Sequence, residues 1–249
     1  MTPDPLTRVD HRPWPVPRRP WIMRQTWESL AFVHWPVPIE AVRRLVPASV
    51  EIDTFAGSAW IGIVPFNLRS LRLRGAPPIP GVRRFLELNV RTYVTRDGKP
   101  GVWFLSLDAD RSLAVWFARR WYRLPYHRAD IRRRLKADGM EFTSVRRNRA
   151  DRLARFSARF TPNDGTSDNF ESGRNLWLTE RYCLYARDAG GRVFRADIHH
   201  VPWTLHPAKA EIAENGMVAA LGIRPPPSPP IVHLAETIEA LIWSPVRVT

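Results

Sequence analysis

The chain has 249 residues but only three lysines, Lys99, Lys136 and Lys209, and a single cysteine, Cys183. One thiol closes no internal disulfide, so nothing in the chain requires an oxidising compartment. Cys183 sits in the alternating apolar run ERYCLYA, which suits a small buried residue better than a nucleophile. No stretch reaches the roughly 18–20 apolar residues of a membrane-spanning helix. The opening residues, MTPDPLTRVDHRPWPVPRRPW, carry charges and prolines where a signal peptide has an apolar region. These absences lead to the expectation of a cytoplasmic protein with no membrane partner. A glycine-rich phosphate loop, a GxSxG elbow, an HExxH helix and a CxxC pair are missing too, which weighs against nucleotide, serine-hydrolase and zinc chemistry. Neither a cofactor nor a metal is expected.

Apolar residues are plentiful. They make up 44% of the chain, 11 of them tryptophans, enough for a large ordered core. The net charge of +14 bears on solubility and on attraction to anions, not on fold. Half of it lies in residues 128–159, where eleven Lys/Arg face Asp130, Asp138, Glu141 and Asp151, a balance of +7. No helix-turn-helix or aromatic-plus-basic module accompanies this stretch. A solvated arginine-rich face is therefore preferred to a nucleic-acid surface, with anion or nucleic-acid binding kept as an alternative.

Residues 1–22 form a proline-rich arm, HRPWPVPRRPW at its heart, because alternating prolines fix φ and deny ladder hydrogen bonds. The rest, residues 23–249, reads as one domain. PIEAVRRLVP is a short amphipathic helix from Pro38 to Pro47. Strands are expected in MRQTWESLAFVHW, on both sides of the Ala56–Gly57 turn, in ELNVRTYVT and in GVWFLSLDA. Further strands flank KADG and DAGG, and another is RLARFSARF, with Ala154, Phe156, Ala158 and Phe160 on one face. DRSLAVWFARRWYRL suggests a helix capped at Asp108 or Asp110, residues 161–175 a polar loop, NGMVAALG a short helix, and TIEALIWSPVRV a last strand. Strands with two or three short helices mean an α+β, mainly β chain of the decorated-barrel kind.

Three places carry candidate chemistry. In the strand at 87–94, period two sets Glu87, Asn89, Arg91 and Tyr93 on one face and Leu88, Val90 and Val94 on the other. That polar face is either a solvated exterior or the wall of a ligand cavity. In LPYHRADI, Tyr126 and His127 offer an acid–base or hydrogen-bonding pair. In RADIHHVPWTLHP, His199 and His200 point to opposite faces, so they do not readily share a metal.

Taken in order, WIMRQTWESLAFVHWPVP, EIDTFAGSAWIGIVPFNL, FLELNVRTYV, GVWFLSLDA, LPYHRADI, LTERYCLYA and IHHVPW resemble domain-of-unknown-function family 2071, the YqjF-like proteins, from about Trp14 to Val248. The resemblance implies a barrel or cone like that of acetoacetate decarboxylase, enclosing a small-molecule cavity, and it favours the cavity reading for Glu87, Asn89 and Arg91. Acetoacetate decarboxylase uses a Schiff-base lysine. By this resemblance Tyr126 and His127 stand in its place. Lys99 and Lys136 fall in turns and Lys209 lies beside Glu211, so none is a desolvated amine. The expectation is a small-molecule ligand, an organic acid or keto compound. Glu87 or His127 would move a proton, Asn89, Arg91, Tyr93, Tyr126 and His199 would hold the ligand, and no Schiff-base decarboxylation would occur. A non-catalytic binding protein stays open, as does a homo-oligomer.

Overall fold

The computed structural model describes residues 4–77, 84–112, 122–148, 153–163, 173–224 and 227–248. Most of the helix expected at DRSLAVWFARRWYRL, and much of the 161–175 loop, lie outside them.

The first five strands are β1 (Met23–Glu28), β2 (Leu30–Val37), β3 (Glu51–Ile52), β4 (Ala59–Leu73) and β5 (Arg84–Arg96). Next come β6 (Lys99–Ala109), β7 (Tyr126–Lys136), β8 (Gly139–Arg146), β9 (Arg155–Pro162) and β10 (Cys183–Arg187). The last are β11 (Val193–His199), β12 (Leu205–Asn215), β13 (Ile231–Ala235), β14 (Ile238–Ile242) and β15 (Val246–Arg247). Among the described residues, three short α-helices interrupt them: α1 (Ile39–Arg43), α2 (Gly173–Thr179) and α3 (Gly216–Ala219).

Several expectations need correction. Asp108 caps no helix: the run GVWFLSLDA stays extended through Ala109, and buried Asp108 accepts from Arg146 Nε at 2.7 Å. The last segment is two strands, because the chain leaves the ladder around Pro245. Segments β12, β13 and α2 were not expected. Ala56 and Gly57 both have positive φ, as a tight turn of this hand requires, and they close the Phe55–Ser58 bridge. The strand before this turn, β3, then pairs with β5 and not with β4.

The strand pairings close two circuits. One runs β4–β5–β6–β10–β11–β14–β1 and returns to β4. The other runs β4–β5–β6–β7–β8–β9–β12–β13–β2 and returns to β4. Closure pairs each strand of the circuits on both sides, while the short β3 and β15 each pair on one side. The strands β4, β5 and β6 belong to both circuits, so their two faces serve different interiors. Ile61, Ile63, Leu88 and Val90 join Phe142, Phe156 and Phe160 in one packed core. Val64, Phe66, Leu68, Phe85 and Leu107 face the other way, with Met23, Leu184, Ile198 and Ile242. A one-residue step along β4 or β5 thus moves a side chain from one core to the other.

The N-terminal arm lies on the body. Arg12 Nη1 donates to Ile198 O, Trp14 Nε1 donates to Asp197 at 3.3 Å, and Arg19 Nη1 donates to Ser244 O at 2.6 Å. The basic stretch forms the β7–β8–β9 meander. There Arg147 pairs with Asp130, Arg159 with Asp138, Lys136 with Glu141 and Arg155 with Glu214. No helix among the described residues is long and apolar enough to cross a membrane.

Candidate functional site

The first circuit is hollow. It holds a cavity of about 310 Å³ whose wall is mostly aromatic and aliphatic, with a few polar groups converging on it. Strand β5 supplies most of the polar line. Phe85, Glu87, Asn89 and Arg91 follow one another along the cavity wall, about 7 Å apart from one to the next.

Glu87 is 4% exposed and accepts a hydrogen bond from the Tyr126 hydroxyl at 2.7 Å. Burial raises its pKa to about 7; the bonds from Tyr126 and Asn89 oppose that rise, and buried Asp108 adds to it. Tyr126 is itself pushed well above the usual phenol range, by burial first and by Glu87 second, so it remains a donor. Asn89 Oδ1 is buried with no partner among the described residues, as is the Tyr122 hydroxyl on the same wall. A ligand donor would satisfy either.

Among the described residues, two guanidinium groups reach the cavity. Arg91 comes from β5 and Arg181 from the turn between α2 and β10. Arg181 is 6% exposed; its Nε donates to Trp177 O at 2.6 Å and its Nη1 to Asp53 at 2.5 Å. Burial lowers the Arg181 pKa and Asp53 raises it. Its Nη2 has no partner among the described residues. The guanidinium lies over the rings of Trp177 and Tyr93, at 4.3 and 4.8 Å from their centroids. Arg91 packs over Phe32 at 5.1 Å, Nη2 reaches Leu178 O only at 3.4 Å, and Nε is unpartnered among the described residues. Both cations are thus held by aromatic faces while keeping spare N–H groups.

Behind Arg91, the Tyr93 hydroxyl and His34 Nε2 share a 2.7 Å hydrogen bond. Burial, then the charge of Arg91, holds the His34 pKa well below its usual value. Gly62 makes room for this pair: a Cβ there would stand 2.9 Å from the His34 ring and 3.4 Å from the Arg91 stem.

Of the expected site residues, Glu87, Asn89, Arg91 and Tyr126 line one cavity. Tyr93 does not line it but supports it from behind through His34 and the two arginines. His127 is not on the wall; it follows Tyr126 in an extended strand and so faces the other side, in register with Asp108. His199 is not on the wall either. It accompanies the N-terminal arm, Nε2 bonding Pro5 O at 2.8 Å, while His200 lines the cavity with Ile198. His200 Nδ1 donates to Val201 O at 2.7 Å, and burial lowers its pKa to about 4, so the ring is neutral near pH 7. Arg181, Thr179 and Tyr122 were not anticipated. No lysine lines the cavity among the described residues: Lys99 starts β6, Lys136 ends β7, and Lys209 is exposed on β12. Cys183 is buried, its thiol pushed up to about 12 by burial. Among the described residues no group of three His, Cys, Asp or Glu side chains is placed to hold a metal ion.

Residues 24–239 match the family model of DUF2071, described as an uncharacterized conserved protein. The chain belongs to this family. A family relative, the uncharacterized protein YqjF of Bacillus subtilis (strain 168), is 46% identical over 228 residues, 92% of this chain and 93% of YqjF. Among solved structures, the enduracididine biosynthesis enzyme MppR complexed with pyruvate matches with a TM-score of 0.64 at 13% identity, over 93% of this chain and 91% of that one. An acetoacetate decarboxylase from Legionella pneumophila matches with a TM-score of 0.63 at 11% identity, over 96% and 93%. At such identities the likeness establishes a shared fold, so this DUF2071 member has the acetoacetate decarboxylase-like fold.

Proposed function

We propose that the hollow circuit binds a small organic acid or keto compound and that its polar groups are arranged for acid–base proton transfer without a Schiff base. The observation that carries this reading is the pairing, in one cavity, of a buried glutamate near neutrality with two arginines that retain unused N–H groups. The arginines suit a carboxylate or an enolate oxygen. A Glu87 pKa of about 7 suits a group that takes and returns a proton at physiological pH.

In the step this arrangement serves, Glu87 takes a proton from the carbon next to a carbonyl. The electron pair moves to the carbonyl oxygen, where an arginine N–H stabilises it, and Glu87 then gives the proton to that oxygen or back to the carbon, so the net change is keto–enol tautomerisation or proton exchange and Glu87 is ionised again. Tyr126 remains protonated and holds Glu87 in position. With no lysine among the described residues of the wall, an imine with a keto acid has no amine to form on. One fold neighbour is a complex with pyruvate, which is itself a small keto acid.

Thermal-shift screening against small carboxylates and keto acids tests the binding claim, since a ligand of the native state raises apparent stability. Glu87→Gln and Arg91→Ala should each abolish the shift while leaving a folded protein. Unchanged binding in both variants would remove this site from consideration. Borohydride with a β-keto acid should trap no adduct.

A further inference from the structure

The cavity is larger and more apolar than a short keto acid needs. A volume of about 310 Å³ corresponds to roughly ten water molecules at about 30 Å³ each. A three- or four-carbon acid held at the arginines would leave much of that wall dry and unfilled. The wall itself is ordered along β5. Arg91 comes first, then Asn89, then Glu87, and beyond Glu87 comes Phe85. Among the described residues, the wall past Glu87 is mostly hydrocarbon: Leu68 pairs with Phe85, and Leu71 and Met23 follow along β4 and β1. Gln25 brings an amide to this end, already bonded to Trp27 Nε1 at 2.7 Å and to the Met23 sulfur, and among the described residues the charged groups of the wall are Glu87, Arg91 and Arg181. The head of the site is polar and fixed. Arg181 is anchored by Asp53 and Trp177 with Nη2 still unused, and that side chain is nine-tenths buried.

We propose that the ligand is a monocarboxylate with an apolar body of about eight carbon atoms, an estimate from the space available. Its carboxylate sits at Arg91 and Arg181, the chain runs past Asn89 and Glu87, and the tail points toward Phe85, Leu68 and Leu71. This placement rests on the assignment of the arginines as the acid-binding end. A short acid would satisfy the arginines and leave the far wall uncovered. An apolar molecule without a head would leave two buried guanidinium nitrogens, Arg91 Nε and Arg181 Nη2, with donors unmet.

Isothermal titration of the full chain at pH 7 with straight-chain carboxylates from acetate to decanoate, and with octan-1-ol, tests it. Affinity should rise roughly fourfold per methylene from butanoate to octanoate, then level off. Octan-1-ol should bind at least about tenfold more weakly than octanoate, the loss of a charge-assisted pair. In Leu71→Trp the optimum should move to a shorter chain. In Arg91→Met the advantage of octanoate over octan-1-ol should shrink. Equal affinity along the carboxylate series would overturn the proposal and leave the acid-binding reading standing. Equal binding of octanoate and octan-1-ol by the unsubstituted chain would contradict both. If no member of the series binds, the proposal falls, and parallel titration with pyruvate and acetoacetate then decides whether the acid site survives.

Discussion

The two interiors of this molecule share β4, β5 and β6 and differ in almost everything else. The larger circuit is filled. Ile61, Ile63, Leu88, Val90, Phe142, Phe156 and Phe160 close on one another with little or no exposure. The smaller circuit keeps a cavity and admits Glu87, Asn89, Arg91, Arg181 and His200 to its wall. One interior stabilises the fold by dense packing. The other gives up packing for a hole and accepts buried groups whose ionisation is costly. Glu87 and Leu88 are neighbours in sequence and belong to opposite regimes.

Deleting a ring on the filled side should have the largest effect. Phe142→Ala should cost about 3–5 kcal/mol in urea unfolding. The same truncation on the hollow side, Phe66→Ala, should cost about 2 kcal/mol, because its ring already faces a void and loses fewer contacts. Equal losses would mean that the two interiors are not packed differently.

Charge should distinguish them next. A carboxyl whose pKa is raised in the folded state keeps its proton there when the unfolded chain has lost it. Glu87 therefore contributes stability that is complete below the unfolded value near 4.5 and lost as pH rises through about 7. Glu87→Gln should leave stability near pH 4.5 unchanged and raise it by about 3 kcal/mol above pH 8, relative to the unsubstituted chain. The lowered pKa values of His199, His200 and His233, all about 4, act in the opposite sense. They favour the fold above pH 6.5 and cost stability as pH falls toward 4. The difference between variant and parent isolates Glu87. A constant offset across pH would show that the carboxyl is not buried as described.

Gly62→Ala presses on the His34 ring behind the hollow side and should cost about 1–3 kcal/mol by overpacking. Acid binding should weaken with it as the Arg91 stem shifts. On the outer surface, Arg159→Ala removes an exposed pair with Asp138 and should change stability by less than about 1 kcal/mol. A larger loss there would mean that the basic meander is more than a solvated face.

The division between the interiors is legible in the sequence only where one strand carries both signals. The alternation from Glu87 to Val94 alone assigns β5 two unlike faces, and the alternating Ala and Phe residues of β9 mark a core. β12 carries no such signal: Pro207, Lys209, Glu211 and Glu214 interrupt it, and none of its residues is fully buried. The histidine pair is ambiguous for a local reason. β11 ends at His199, and only the shared face of Ile198 and His200 shows which ring turns inward. Arg181 is out of reach for a non-local reason. Its anchor, Asp53, is 128 positions away and is brought close only by closure of the sheet. Site residues set by strand period can be read from sequence, whereas those set by ring closure cannot.

Ligand should enter the hollow interior and leave the filled one untouched. Isoleucine-methyl NMR during a carboxylate titration reads both sides at once, because Ile198 and Ile242 line the cavity while Ile61 and Ile63 sit in the packed core. Ile198 and Ile242 should shift saturably while Ile61 and Ile63 stay nearly still. Shifts confined to other methyl groups, or none at saturating carboxylate, would contradict this placement of the ligand.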